Sequence, residues 1–237
     1  MKNMDTTRKL AWAAGVLYLV TFAASIPTLA LKAPLVDHAD FVLGHGNATP
    51  VLWGGLLDFV CAIAGIGTAV ALYPITRRLS RTSAIGFVAS RTLEAAILVV
   101  GAISLLSVVT LRKGVIGGDT ASLLTTSRSL VAMHDWAFLF GPGFMPAINA
   151  VFLATVVYRF RLVPRFIPLM GLIGAPLLVL SSLATLFGDH GQTSSSAVLF
   201  ALPIAAWEFS LGVYLVAKGV RTPTADDAPT RTPALAA

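Results

Sequence analysis

Six stretches of the chain carry apolar residues with almost no polar interruption: residues 10–31, 51–75, 84–111, 130–157, 166–187 and 197–217. Each holds about 20 to 28 residues, and at about 1.5 Å per residue a helix of that length crosses a hydrocarbon core of about 30 Å. The pattern predicts an all-α polytopic membrane protein, a six-transmembrane-helix bundle over residues 1–218. The links at 77–83 and 159–165 are short, so helices two and three, and four and five, are expected to be antiparallel neighbours. The links at 32–50 and 112–129 are longer. In the second of these, Asp119 is placed to cap a short helix leading toward segment four. Residues 219–237, with Pro223, Pro229 and Pro233 among Thr and Ala, lack the apolar surface to fold and read as a disordered tail. No strong internal repeat is present.

Composition agrees with this reading. Of 237 residues, 56% are hydrophobic and only 12% charged, with a mean hydropathy of +0.82, which excludes a globular cytosolic enzyme, a nucleic-acid-binding module and a disulfide-stapled secreted domain. The lipid bilayer is the expected partner, and nucleic acid is not. The formal charge of +6 follows topology instead. Lys2, Arg8, Lys9, Arg77, Arg78, Arg81, Arg159, Arg161, Arg165, Lys218, Arg221 and Arg231 fall on one side of the six segments. Only Lys32, Arg112, Lys113 and Arg128 fall on the other, and Arg91 lies inside a segment. The positive-inside rule then places both termini in the cytoplasm. Tyr73, Tyr158 and Tyr214 lie at the inner helix ends and Trp53 and Trp136 at the outer ones, as interfacial aromatic belts would have them. The first apolar run is longer than a signal-peptide core and has no clean small-x-small cleavage site, so it reads as a retained helix. The single cysteine, Cys61, has no disulfide partner and reads as a small buried residue.

Helices in lipid approach through small residues. Ala11 with Gly15, Gly65 with Ala69, Gly67 with Ala71, Gly143 with Ala147 and Gly171 with Ala175 have that spacing. Signatures of soluble catalysis are missing: no HExxH, GxSxG, Walker A loop or paired CxxC occurs.

The candidate chemistry lies in ionisable residues placed where hydrocarbon should be. Asp58 falls in segment two, Arg91 and Glu94 in segment three, Asp135 near the outer start of segment four and Glu208 near the middle of segment six. A charged side chain at the bilayer centre opposes insertion by about 2.5–3.5 kcal/mol, so these residues are expected to face the bundle interior. Arg91 and Glu94 are three apart and share a helical face, which allows a local ion pair. One arginine does not neutralise several acids, so a proton, cation or other ligand has to compensate the remainder. Asp58, Arg91, Glu94, Asp135 and Glu208 are therefore candidates for binding a proton, cation or small ligand. Glu208, without an evident basic partner, is the expected titrating carboxyl. The competing reading makes Arg91 the hub of a structural lock between helices two, three and six. In segment four, Gly141, Pro142 and Gly143, with Pro146, predict a kink of the sort that lines cavities in membrane proteins.

All four histidines, His38, His45, His134 and His190, fall on the predicted outer side beside Asp37, Asp40, Asp135 and Asp189. Imidazole with carboxylate suits zinc or another divalent metal, so an outward-facing metal-dependent enzyme is a second reading; outside it no cofactor is expected.

Several runs together resemble a known family: residues 134–143 (HDWAFLFGPG), 158–165 (YRFRLVPR), 171–175 (GLIGA), 71–74 (ALYP), 86–94 (GFVASRTLE) and 201–208 (ALPIAAWE). They are similar to the bacterial membrane family catalogued as domain of unknown function 4386, over about residues 8–220. Members usually carry an arginine before the Asp-Trp pair, where this chain has His134. The resemblance implies a six-helix bacterial inner-membrane protein and carries no activity, substrate or catalytic residue with it.

Overall fold

A computed structural model describes residues 5–113, 119–188 and 191–221. Among these residues seven α-helices follow in order: α1 (Thr6–Val36), α2 (Ala48–Thr76), α3 (Arg81–Lys113), α4 (Thr120–Phe138), α5 (Met145–Arg159), α6 (Phe166–Leu186) and α7 (Ser195–Ala217). A 3-10 turn, Ala39–Leu43, lies between α1 and α2, and a π-helical segment, Leu139–Phe144, joins α4 to α5 without a break. The continuous unit Thr120–Arg159 is one membrane span, so six helices are long and apolar enough to cross a bilayer. No strand occurs among the described residues. The expected tail lies outside the described residues from 222 onward.

Local chemistry sets several helix starts. The Asn47 side chain accepts from the Thr49 amide, Asp119 from the amides of Ala121 and Ser122, and Ser194 from that of Ala197, each satisfying amides that a first turn leaves unpaired. Asp119 caps a helix as expected, and that helix is not short: it is α4 itself, which starts at Thr120 and runs directly into the fourth apolar segment. Thr125, Thr126 and Ser129 stay helical by returning their hydroxyls to carbonyls four residues back. α1 is also longer than its apolar run. It continues to Val36, so Lys32 is helical and buried rather than part of an outer loop.

The spans form a ring in chain order. α1 packs on α2, α2 on α3, α3 on α4 and α5, α5 on α6, α6 on α7, and α7 closes back on α1. That closure is tight toward the termini. A Cβ on Gly15 would stand 2.7 Å from the Gly212 carbonyl oxygen and 2.8 Å from the Val216 nitrogen, so only glycine lets the two backbones touch. Arg8 ties the same end by donating to the carbonyls of Leu215, Val216 and Ala217 at 2.9–3.0 Å. Gly171 lies against Trp207 and Gly174 against the Ile204 backbone, joining α6 to α7 in the same way. Gly65, by contrast, has nothing within 4 Å of a built Cβ.

Two apolar cores result. The larger lies toward the termini and includes Ala14, Tyr18, Leu72, Phe87, Leu153, Trp207 and Leu211. The smaller packs Leu35, Phe41, Val42, Val51, Leu105, Val108 and Val109 at the opposite end. The polar residues of the interior lie between them.

Candidate functional site

Arg91 is the centre of the interior polar cluster. It is 4% exposed, and its guanidinium donates through Nη1 to Glu94 Oε2 at 2.9 Å and through Nη2 to Glu208 Oε1. Glu94 Oε2 also accepts from Asn149 Nδ2 at 2.6 Å. The guanidinium carbon lies 5.3 Å from the centre of the Tyr18 ring and 5.9 Å from that of Phe87, within the range of cation–π attraction. Arg91 and Glu94 of α3 thereby connect α1, α5 and α7. Arg91 Nε and Asn149 Oδ1 are buried with no hydrogen-bond partner among the described residues.

Asp58 belongs to a second pair. Its Oδ2 accepts from Lys32 Nζ at 3.0 Å, with both side chains 4% exposed. Gly54, one helical turn before Asp58, makes the pair possible, because a Cβ there would stand 2.8 Å from Lys32 Cγ. The lysine stem lies across that glycine and delivers the ammonium to the next turn of α2. Two sequence expectations change as a result. Helix two does not join the Arg91 lock, since Asp58 is neutralised by α1, and Glu208 does not lack a basic partner, since Arg91 holds it.

A cavity of about 490 Å³ lies beside both pairs and is lined from all six spans: Thr21 of α1, Asp58 and Cys61 of α2, Arg91 and Glu94 of α3, Pro142 of the π segment, Leu178 of α6 and Glu208 of α7. Cys61 is half-buried, with its thiol 3.9 Å from the Thr21 carbonyl. Gly65 is on the same wall, so the space around its absent side chain belongs to this cavity.

The anticipated kink in segment four takes the form of the π segment. Pro142 has no amide to donate, and the wider turn absorbs the loss. The Gly143 carbonyl is met by Ser182 Oγ of α6 at 3.0 Å. Gly141 packs near Ile97 of α3, and Phe138, Pro142 and Pro146 face the cavity.

The remaining candidates are elsewhere. Asp135 does not line the cavity; its backbone carbonyl accepts from Gln192 Nε2 at 2.9 Å. His134 is buried between α3 and α4, with Nδ1 3.3 Å from the Gly101 carbonyl oxygen. His38 and His45 line a separate pocket with Asp37 and Asp40, where His45 Nδ1 stands 3.9 Å from the Asp40 carboxylate and both are largely exposed. His190 lies outside the described residues. Among the described residues no three His, Cys, Asp or Glu side chains come together as metal ligands. The shared predicted side of the histidines therefore does not become a shared site for the three described ones.

The family described as domain of unknown function DUF4386 matches residues 13–219, which takes in five spans whole and all but the first turns of α1. The chain belongs to this family. Neither a curated protein nor a solved structure matches it. The family assigns no chemistry, so any functional reading rests on the geometry of the interior.

Proposed function

We propose that the protein binds one proton or one small cationic ligand in its central cavity, as a carrier or sensor in a bacterial cytoplasmic membrane. The observation that carries this reading is the charge balance around the cavity. Lys32 and Asp58 cancel, whereas Arg91 faces two carboxyls, Glu94 and Glu208. An enclosed cluster with one carboxylate in excess reaches neutrality by taking up one positive charge, and desolvation penalises the alternative of leaving it unbalanced. The cavity volume falls in the range of about 300–1,000 Å³ usual for small-molecule sites. Both termini are cytoplasmic in this account. With Lys32 withdrawn into the bundle, only Arg112, Lys113 and Arg128 remain as basic residues on the opposite side.

The test uses Cys61, the chain's single cysteine, as a reporter on the cavity wall. In nanodiscs, n-butylammonium is expected to slow alkylation of Cys61 by N-ethylmaleimide in the native protein and to have no effect in Glu208→Gln. Equal rates with and without butylammonium in the native protein sink the cation reading.

A second reading has its own support, because Arg91 together with Glu94 ties four spans and acts as a lock whether or not a ligand binds. Glu208→Gln separates the two. Intact folding with a lost butylammonium response favours a site, and loss of assembly favours a lock.

A further inference from the structure

We infer that the cavity is entered sideways from the lipid, through a gap between α1 and α7, and that its ligand is a single-tailed amphiphile with a cationic amine head. The inference rests on the reading of the cavity as a cation site and adds the route and the tail.

The gap is visible in residues that line the cavity and also face the outside of the bundle. Ile26 and Leu29 of α1 are 68% and 52% exposed, Val198 of α7 is 54% exposed, and all three are on the cavity wall. A side chain holding both positions marks an opening. The same α1–α7 seam is shut toward the termini, where Gly15 and Gly212 bring the backbones together and Arg8 clamps the end of α7. The edge-to-face contact of Phe22 with Phe209, 5.5 Å between ring centres, forms the lower lip. Phe209 is eleven positions along α7 from Val198, so the opening is about 16 Å tall at about 1.5 Å per residue, the depth of one leaflet of a core of about 30 Å.

The lips decide what passes. Ile26, Leu29 and Val198 offer no hydrogen bond, and Leu29 lies on α1 three residues before Lys32, which meets the next turn of α2 beyond exposed Trp53. The opening therefore faces acyl chains rather than the aqueous loops. Its floor is Glu208, adjacent in sequence to the lip residue Phe209 and part of the cluster with a surplus carboxyl. An alkyl chain fits the apolar passage and an ammonium fits the floor.

The experiment measures Cys61 alkylation in nanodiscs by two reagents, membrane-soluble N-octylmaleimide and a sulfonated, membrane-impermeant maleimide. The native protein is expected to react with the first and resist the second. Val198→Trp on α7 and Ile26→Trp on α1, two independent obstructions at the exposed lips of the opening, are each expected to slow the octyl reagent by about tenfold. If the sulfonated reagent modifies native Cys61 as fast as the octyl reagent and neither tryptophan changes a rate, lateral entry is wrong. Octylammonium is then added as the ligand probe. Protection of Cys61 that disappears in Glu208→Gln supports the amphiphilic cation. If octylammonium gives no protection while the tryptophan variants still block octylmaleimide, the cation reading fails and the lateral route survives by itself.

Discussion

Replacing Arg91 with Met and replacing Glu208 with Gln alter the same contact, yet the charge balance predicts very different consequences. Arg91→Met keeps most of the side-chain volume and removes the cation that, among the described residues, pairs with Glu94 and Glu208. The cluster moves from one surplus negative charge to two. At a separation of about 4 Å and an effective dielectric of about 20, each lost ion-pair attraction amounts to about 4 kcal/mol before desolvation is considered. Removing one partner of a buried pair costs about 3–5 kcal/mol in measured cases, because the other charge stays behind uncompensated. We expect Arg91→Met to fall in that range, since Arg91 is 4% exposed and the two carboxylate side chains only 15% and 14%. Glu208→Gln moves the cluster to neutrality and leaves an amide oxygen to accept from Nη2, so its loss is expected to stay near about 1 kcal/mol. The assay is equilibrium unfolding in mixed dodecyl maltoside and SDS micelles, followed by helical circular dichroism. The triple variant Arg91→Met, Glu94→Gln, Glu208→Gln is expected to regain a substantial part of what Arg91→Met loses. If Glu208→Gln is as damaging as Arg91→Met, the cluster is not carrying a surplus negative charge and the argument built on it fails.

Three further outcomes follow from the same geometry. Lys32→Met strands Asp58 at 3% exposure and is expected to cost about 3–5 kcal/mol in the same unfolding assay, with most of it recovered by Lys32→Met combined with Asp58→Leu; no recovery would show that the two residues do not act as a pair. Gly65→Leu places its side chain in the cavity with nothing within 4 Å of its Cβ, so unfolding should change by less than about 1 kcal/mol while butylammonium ceases to protect Cys61. Gly15→Leu, in contrast, drives a side chain into the Gly212 carbonyl and the Val216 amide, and separation of α1 from α7 should lower the unfolding midpoint by an amount corresponding to about 1–3 kcal/mol or more; an unchanged midpoint would contradict the backbone contact.

Much of the architecture is legible in the chain because lipid imposes a strong rule: a spanning helix needs about 20 apolar residues, and the six runs satisfy it. The interior position of Arg91, Glu94 and Glu208 is legible for the same reason, since none of them is tolerated facing hydrocarbon. What the pattern does not carry is pairing. Lys32 follows an apolar run and reads as a loop residue, but four methylenes and a glycine at position 54 let it turn inward to Asp58. Asn149 is uncharged and is passed over beside the ionisable residues, although an amide in an apolar stretch carries the same signal in weaker form; it proves to bind Glu94. The helix-breaking potential of Pro142 is evident, whereas neither the π turn it sits in nor the donation of Ser182 of α6 to the Gly143 carbonyl is written in the local pattern. The histidines show the reverse error. A shared side of the membrane is a coarse coordinate, and His134 on α4 and His45 in the α1–α2 connection have separate neighbours.

The most direct test of the central claim is calorimetric titration of n-butylammonium into the native protein and into Glu208→Gln, both in nanodiscs. The account predicts one butylammonium bound per native chain and none in the variant, with the variant still folded. Binding that is equal in the two proteins, or missing from the native one, would contradict it.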